Sequence, residues 1–306
     1  MAQASRLSFR AARPEPSPSP ILALLSTFLK MTFSIITPSR NQLNWLQLCA
    51  ASVADQGVPV EHIIQDACST DGTLEWLQQS PQLAWRSERD GGMYDAINRG
   101  LRRANGDILA YLNCDEQYLP GTLRKVQECF EANPHIDVVL GDIVIVDAAG
   151  EYLFHWKVLP PQKYHTWVSH LASLSCAVFF RRKLIAEDGF YFNEKLRDVG
   201  DGDWMLRLLR RGVRMKSLGA FTSVFACTGA NMSVGANAKR EARELFRSAP
   251  LWAQIGKPAI ILHHRLRKLV GGSYTQKPFE FSLYTRQSPN QRVLRQVTRP
   301  TSRWKL

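Results

Sequence analysis

Cysteine is scarce, six residues in 306, and none stands in a CxxC pair or at Cys/His ligand spacing. That argues against a zinc site and gives no disulfide framework, so reduced thiols in a cytoplasmic protein are expected. Long apolar runs are missing as well. The one candidate near the start, Ile21 to Leu29, is short and lacks a small-x-small cleavage site; a spanning helix needs ~20 apolar residues. No membrane span is therefore expected. Acidic residues are almost absent from residues 251–306, where eleven Lys or Arg face Glu280 alone. The formal net charge of +12 thus resides mainly in the tail, and residues 31–250 are close to neutral. A nucleic-acid binder usually spreads positive charge over its folded domain, so this distribution argues against specific nucleic-acid binding by the core.

What is present is the composition of a globular protein with a sizeable core, 45% hydrophobic and 10% aromatic. Residues 1–30 begin with a Pro-, Ser- and Arg-rich leader, expected to be a disordered N-terminal extension. From Phe33 the chain alternates. FSIIT, VEHIIQD, LAWRSE and DILAYLN read as strands, with helical stretches between them, which is the pattern of βαβ units and a mostly parallel sheet. After Gly121 the order becomes mixed, with strands DVVLGDIVIVD, GEYLFHWKV and SCAVFFRR and helical segments at 161–172 and 201–212. Residues 31–250 are thus expected to form one α/β domain and 251–306 a basic amphipathic and flexible tail.

In an open α/β sheet the ligand lies beyond the carboxyl ends of the strands. This sequence places turn residues and acids there repeatedly: Thr37, Pro38 and Arg40 after the first strand, Asp66 at the end of the second, Glu88 and Asp90 after the third, Asn113, Asp115 and Glu116 after the fourth. The last pair of carboxylates could hold Mg²⁺ or Mn²⁺ against a diphosphate, or could be a solvated loop ahead of a helix. Asp201 and Asp203 open an amphipathic helix. They could serve as a general base or merely cap that helix.

Taken in order, SIITPSRN, QDACSTDGT, ERDGGMYDAINRGLRRANGD, LNCDE and GDGDWMLRL resemble the family 2 glycosyltransferases of the GT-A fold. GGMYDAIN is similar to the subgroup that assembles bacterial exopolysaccharide, colanic acid and O-antigen repeat units. The resemblance runs from Phe33 to about Gly235. It implies a single Rossmann-like GT-A domain with a mixed acceptor-side half, and a metal-dependent, hexosyltransferase-type enzyme using a nucleoside-diphosphate sugar. It also implies roles. Thr37, Pro38, Arg40 and Asp66 would bind the donor nucleotide, with Glu88, Asp90, Asp95 and Asn113 nearby; Asp115 would bind Mn²⁺ or Mg²⁺; Asp201 would be the base of an inverting transfer, with Asp203 in reserve. Ala67, Cys68 and Gly200 stand where relatives carry other residues, Gly200 replacing a Glu.

Ile255, Ala259, Leu262, Leu266 and Leu269 fall on one face of a basic helix. That stripe suits either an anionic membrane surface or packing on the catalytic domain. The resemblance implies a lipid-linked saccharide acceptor and a cytoplasmic, peripheral position on the inner face of the membrane. The competing reading is a polyanion- or membrane-binding protein with an inactive sugar-nucleotide-binding domain. A nucleotidyltransferase would need a Gly-rich phosphate loop where TPSRNQ stands.

Overall fold

The computed structural model describes residues 31–229 and 235–302, and the chain divides at Met31, with the fold in the unit Thr32–Leu306. The leader expected to be disordered lies outside the described residues. Strand β1 (Phe33–Ser39) is buried almost throughout, as its run of apolar residues requires for a strand covered on both faces. It is flanked in parallel by β2 (Val60–Asp66) and β4 (Ile108–Tyr111), and β3 (Ala84–Ser87) extends the sheet beyond β2. Helices α1 (Leu43–Ala54), α2 (Thr73–Gln78) and α3 (Met93–Arg103) make the crossovers. Gly100 of α3 lies so close to the sheet that a Cβ there would stand 2.5 Å from Ile36 Cγ2; only glycine permits this approach.

Beyond β4 the sheet becomes mixed. The strand order is β3-β2-β1-β4-β8-β6-β9-β5, with β7 paired to β6. The added strands are β5 (Glu116–Tyr118), β6 (Val138–Asp147), β7 (Tyr152–Trp156), β8 (Val178–Arg181) and β9 (Met215–Cys227). Helices α4 (Thr122–Ala132), α5 (Lys163–Val168), α6 (Lys183–Ala186) and α7 (Gly200–Arg211) join them. The chain leaves β1 to one side for β2 and returns on the other side as β4. This reversal opens a crevice at their carboxyl ends.

Two sequence expectations need correction here. Glu116 does not lie on a loop at the sheet rim: it opens β5, pairs with Phe225, and is fully buried. The tail is more ordered than expected. After α8 (Ala236–Arg247), α9 (Leu251–Ile255) and α10 (Lys257–Val270), residues that read as flexible form a hairpin of β10 (Phe279–Thr285) and β11 (Ser288–Val297). The reason is packing. Phe281, Leu283 and Val297 are buried against Leu119, Val144, Val146 and Val224, while Gln117 Nε2 donates to Tyr284 O at 2.9 Å and Tyr284 N donates back to Gln117 Oε1 at 2.8 Å. Arg292 meets Asp55 at 2.5 and 2.7 Å. All six cysteines are free.

Leu283→Ala tests whether the hairpin belongs to the core. Truncating a buried leucine costs about 2–5 kcal/mol, so the single unfolding transition should move down by several degrees; an unchanged midpoint would mean that the hairpin is detached in solution.

Candidate active site

A cavity of about 470 Å³ lies at the crevice between β1 and β4. Pro38, Ser39 and Arg40 from the end of β1 and Asn113, Cys114 and Asp115 from the end of β4 form one side. The start of α3 contributes Gly92, Met93 and Tyr94, and the segment entering α7 contributes Arg197, Asp198 and Asp201. Six of the residues singled out from sequence therefore meet here: Pro38, Arg40, Asp90, Asn113, Asp115 and Asp201.

Five others are absent from this lining and are engaged elsewhere. Thr37 is buried in β1, its hydroxyl 2.9 Å from His62 Nε2. Asp66 ties the loops after β2 and β3 together, accepting from Ser69 Oγ at 2.5 Å and Ser87 Oγ at 2.6 Å. Glu88 pairs with Arg99 at 3.3 Å. Asp95 accepts from Gly91 N at 2.7 Å and pairs with Arg99 at 2.8 Å, fixing the entry to its own helix. Asp203 pairs with Arg207 at 2.8 Å, one turn along α7.

Asp201 sits in the first turn of α7, and the Tyr94 hydroxyl donates to its Oδ1. Burial raises the carboxyl's pKa, and the Tyr94 hydrogen bond opposes that rise. The Gly at position 200 has a steric cause: a Cβ there would lie 2.5 Å from the Tyr94 ring. The same ring stacks on Phe192 at 5.6 Å, and Phe192 stacks on Trp204 at 5.0 Å. Tyr94 is thereby locked between the cavity and the core of the second half.

Across the cavity, burial also raises the pKa of Asp115, and no basic side chain pairs with it among the described residues. Its neighbour Glu116 turns inward, accepting from Asn113 N at 2.7 Å and from Ser175 Oγ at 3.3 Å. Burial, with the Asp115 charge added, pushes Glu116 up to about 8. Glu116 thus shapes the Asn113–Asp115 turn from behind. No cluster of three His, Cys, Asp or Glu side chains suited to a metal occurs among the described residues. A single uncompensated carboxylate still fits Mg²⁺ or Mn²⁺, because these ions are commonly held by one or two carboxylates together with substrate phosphates and water.

Sequence reasoning missed the frame around Asp201. Glu241 of α8 is buried, and its carboxylate accepts the backbone N–H groups of Arg197 and Asp198 at 3.0 Å each and of Val199 at 3.2 Å. Arg197 in turn donates to Gly91 O at the start of α3. Glu241 lies 42 to 44 positions along the chain from the backbone it holds, so no local pattern announces it.

A family model, glycosyl transferase family 2, matches residues 34–190, just over half of the chain. The chain belongs to this family. It is 31% identical over 185 residues to a PGL/p-HBAD biosynthesis glycosyltransferase of Mycobacterium bovis, covering 57% of this chain and 68% of that protein. A shorter segment of 91 residues is 41% identical to an uncharacterized glycosyltransferase of Mycobacterium tuberculosis, covering 28% of this chain and only 35% of the relative. The fold matches S. aureus TarS in complex with UDP-GlcNAc with a TM-score of 0.57 at 20% identity, over 78% of this chain and 73% of that one. It also matches the mannosyltransferase PcManGT of Pyrobaculum calidifontis in complex with GDP-Man and Mn²⁺, with a TM-score of 0.50 at 17% identity over 80% of each chain. The family 2 domain is accordingly of the GT-A type.

Removing the Glu241 side chain in Glu241→Ala leaves three backbone donors without their acceptor, at a cost of about 1–3 kcal/mol. The denaturant midpoint should fall while the slope of the transition stays constant; an unchanged midpoint would show that the α7 entry does not depend on this carboxylate.

Proposed function

We propose that the protein is an inverting, hexosyltransferase-type enzyme that moves one sugar from a nucleoside-diphosphate sugar to a lipid-linked saccharide in the assembly of a bacterial surface or exopolysaccharide. The observation that carries this reading is the pair of carboxylates in one cavity: Asp201 at a helix start under the Tyr94 hydroxyl, and Asp115, which pairs with no basic side chain among the described residues. The ligands bound in the two structural neighbours, UDP-GlcNAc and GDP-Man with Mn²⁺, support a nucleotide-sugar donor for this chain as well. The named relative in PGL/p-HBAD biosynthesis supports a saccharide product.

In this reading Pro38, Ser39 and Arg40 receive the nucleotide at the carboxyl end of β1, where Ala67 leaves room beside it. Asp115, with Asn113, would hold Mn²⁺ or Mg²⁺. When bound, such an ion offsets the negative charge that develops on the departing diphosphate. Asp201 accepts the proton of the acceptor hydroxyl as its oxygen attacks the anomeric carbon. The bond from that carbon to the diphosphate breaks in the same displacement, so configuration inverts. Tyr94 fixes the orientation of Asp201 and favours its ionised form. Thr37, Asp66, Glu88 and Asp95 support the donor side by holding strand ends and the α3 entry. Asp203 remains a reserve base.

In this reading the enzyme works at the inner face of the cytoplasmic membrane, where it would meet a lipid-linked acceptor. No helix among the described residues is long and apolar enough to cross a membrane, so association would be peripheral. The polyanion-binding alternative is weakened by the fate of the tail cations. Arg292 pairs with Asp55 at 2.5 Å, Arg295 pairs with Glu151 at 2.8 Å, and Arg267 donates to Pro160 O at 3.3 Å.

Three measurements test the reading. In a thermal-shift panel of UDP, GDP, dTDP and CMP, one diphosphate should stabilise the protein only with Mn²⁺ or Mg²⁺, by about 2.7 kcal/mol at ~100 times its Kd, and Asp115→Asn should abolish the shift. Asp201→Asn should keep that shift yet lose on the order of 10²–10⁴ in kcat; full turnover by this variant would remove Asp201 from the chemistry. The Tyr94 hydrogen bond lowers the Asp201 pKa, so Tyr94→Phe raises it and moves the acid limb of the kcat profile to higher pH. The variant should lose more activity near pH 6 than near pH 8, and a parallel loss at all pH values would contradict the assigned contact.

A further inference from the structure

Helices α9 and α10 are oriented opposite to an ordinary surface helix. Such a helix buries its apolar stripe and exposes its polar face; here Leu251, Trp252, Ile255, Leu262, Leu266 and Leu269 are each half exposed or more. The face turned to the domain is mixed: Ala253 is buried and Ile260 packs beside it against Val168, Tyr164 and Trp167, and polar groups fill the rest. His264 is buried and stacks on His165 of α5 with ring centroids 3.8 Å apart, Arg267 reaches Pro160 O, and Lys268 lies 5.8 Å over the Trp156 ring. Packing of the stripe read from sequence on the catalytic domain is thereby ruled out, because it would have hidden these side chains.

The geometry of the outward face identifies its occupant. At 100° per residue, Leu262, Leu266 and Leu269 fall within an arc of roughly 60° on α10, with Arg265 and His263 on its two flanks. Residues 251–270 contain no acid, and of their four Lys or Arg it is Arg265 that is exposed, Arg267 and Lys268 being turned to the domain; the exposed aromatic Trp252 precedes the strip on α9. A narrow apolar arc flanked by Arg265, with no acid beside it and an interfacial aromatic ahead of it, suits the headgroup boundary of an anionic bilayer. We propose that the outward face of α9 and α10 is the membrane-docking surface of this protein, its apolar arc entering the headgroup region and Arg265 meeting anionic headgroups. This deepens, and rests on, the reading of a peripheral enzyme acting on a lipid-linked acceptor. Helix α5 packs against both α7, which carries Asp201, and α10, so a docked surface would lie one helix layer from the cavity wall.

The test is vesicle flotation of the full chain with phosphatidylcholine vesicles, with and without roughly one third phosphatidylglycerol. The wild type should float with the anionic vesicles, bind pure phosphatidylcholine at least about tenfold less, and weaken as salt rises. Leu262→Glu/Leu266→Glu should lower binding to anionic vesicles at least about tenfold while its melting temperature and its nucleoside-diphosphate thermal shift stay at the wild-type values. Should that variant fail to fold, Trp252 serves: the wild-type emission should shift to the blue on anionic vesicles, and Trp252→Phe should lose most of that shift. Equal binding by the double variant, or no flotation by the wild type, overturns the docking surface and leaves the transferase reading intact if the thermal shift persists. A dimer in lipid-free sedimentation that the double variant splits, with no flotation, would assign the face to a second copy instead.

Discussion

The hydrogen bond from Tyr94 to Asp201 joins the two halves of the molecule. Tyr94 belongs to the helix that follows β3 in the parallel half, and Asp201 to the helix that precedes β9 within the mixed half. Neither side chain has the environment of a free surface group. The tyrosine ring is clamped by Phe192 and lies over Gly200, and the carboxylate is buried beside it. Because both rotamers are fixed by packing, the cavity between them has fixed walls. Arg197 bridging to Gly91, with Glu241 holding the backbone behind it, repeats the same connection one layer further out. The site therefore depends on closure between two halves, and the acids on the strand ends acquire meaning only once that closure exists.

Electrostatics gives the cavity its direction. Asp115, Glu116 and Asp201 all have raised pKa values, each chiefly through burial. Two buried acids in the cavity wall, Asp115 and Asp201, with Glu116 behind the turn, favour a cation or a proton over a second anion. Yet the cavity mouth carries Arg40 and Arg197, which favour phosphate. A site that is acidic in its depth and cationic at its rim accommodates an anionic diphosphate together with a divalent ion better than either alone. The same depth suits the base role proposed for Asp201, since a carboxylate held above its ordinary pKa is a stronger base once ionised.

The parallel half could be read from sequence because its signals are local. FSIIT, VEHIIQD and DILAYLN are short apolar runs ending in turn residues, and they form β1, β2 and β4 within a residue or two. The acids at those ends were visible for the same reason, but whether each faced the cavity was not. Asp66 and Asp95 stand at suitable positions and turn to neighbouring hydroxyls, amides and arginines, a choice made by side-chain geometry rather than by spacing. The β5 strand escaped notice because three residues carry no period, and its pairing with β9 spans more than a hundred residues. Gly200 looked like a departure from the family pattern; the Tyr94 ring explains it as a steric requirement.

The tail shows why composition alone misleads. Residues 251–306 are strongly basic, and a uniform basic tail would read as a polyanion tether. The fold divides it into two regions with different physics. The hairpin places Arg292 and Arg295 on acids of the domain and buries Phe281, Leu283 and Val297, so its charge is largely internal to the structure. Helices α9 and α10 do the reverse, drawing His264, Arg267 and Lys268 inward and leaving leucines outside. Water is a poor solvent for that outward arc, and an orientation that leaves it exposed is stable only if the contacts on the inner side hold it. Ala253 and Ile260 packed with Val168, Tyr164 and Trp167, the His165–His264 ring stack and the Arg267 and Lys268 contacts beneath α10 supply that hold.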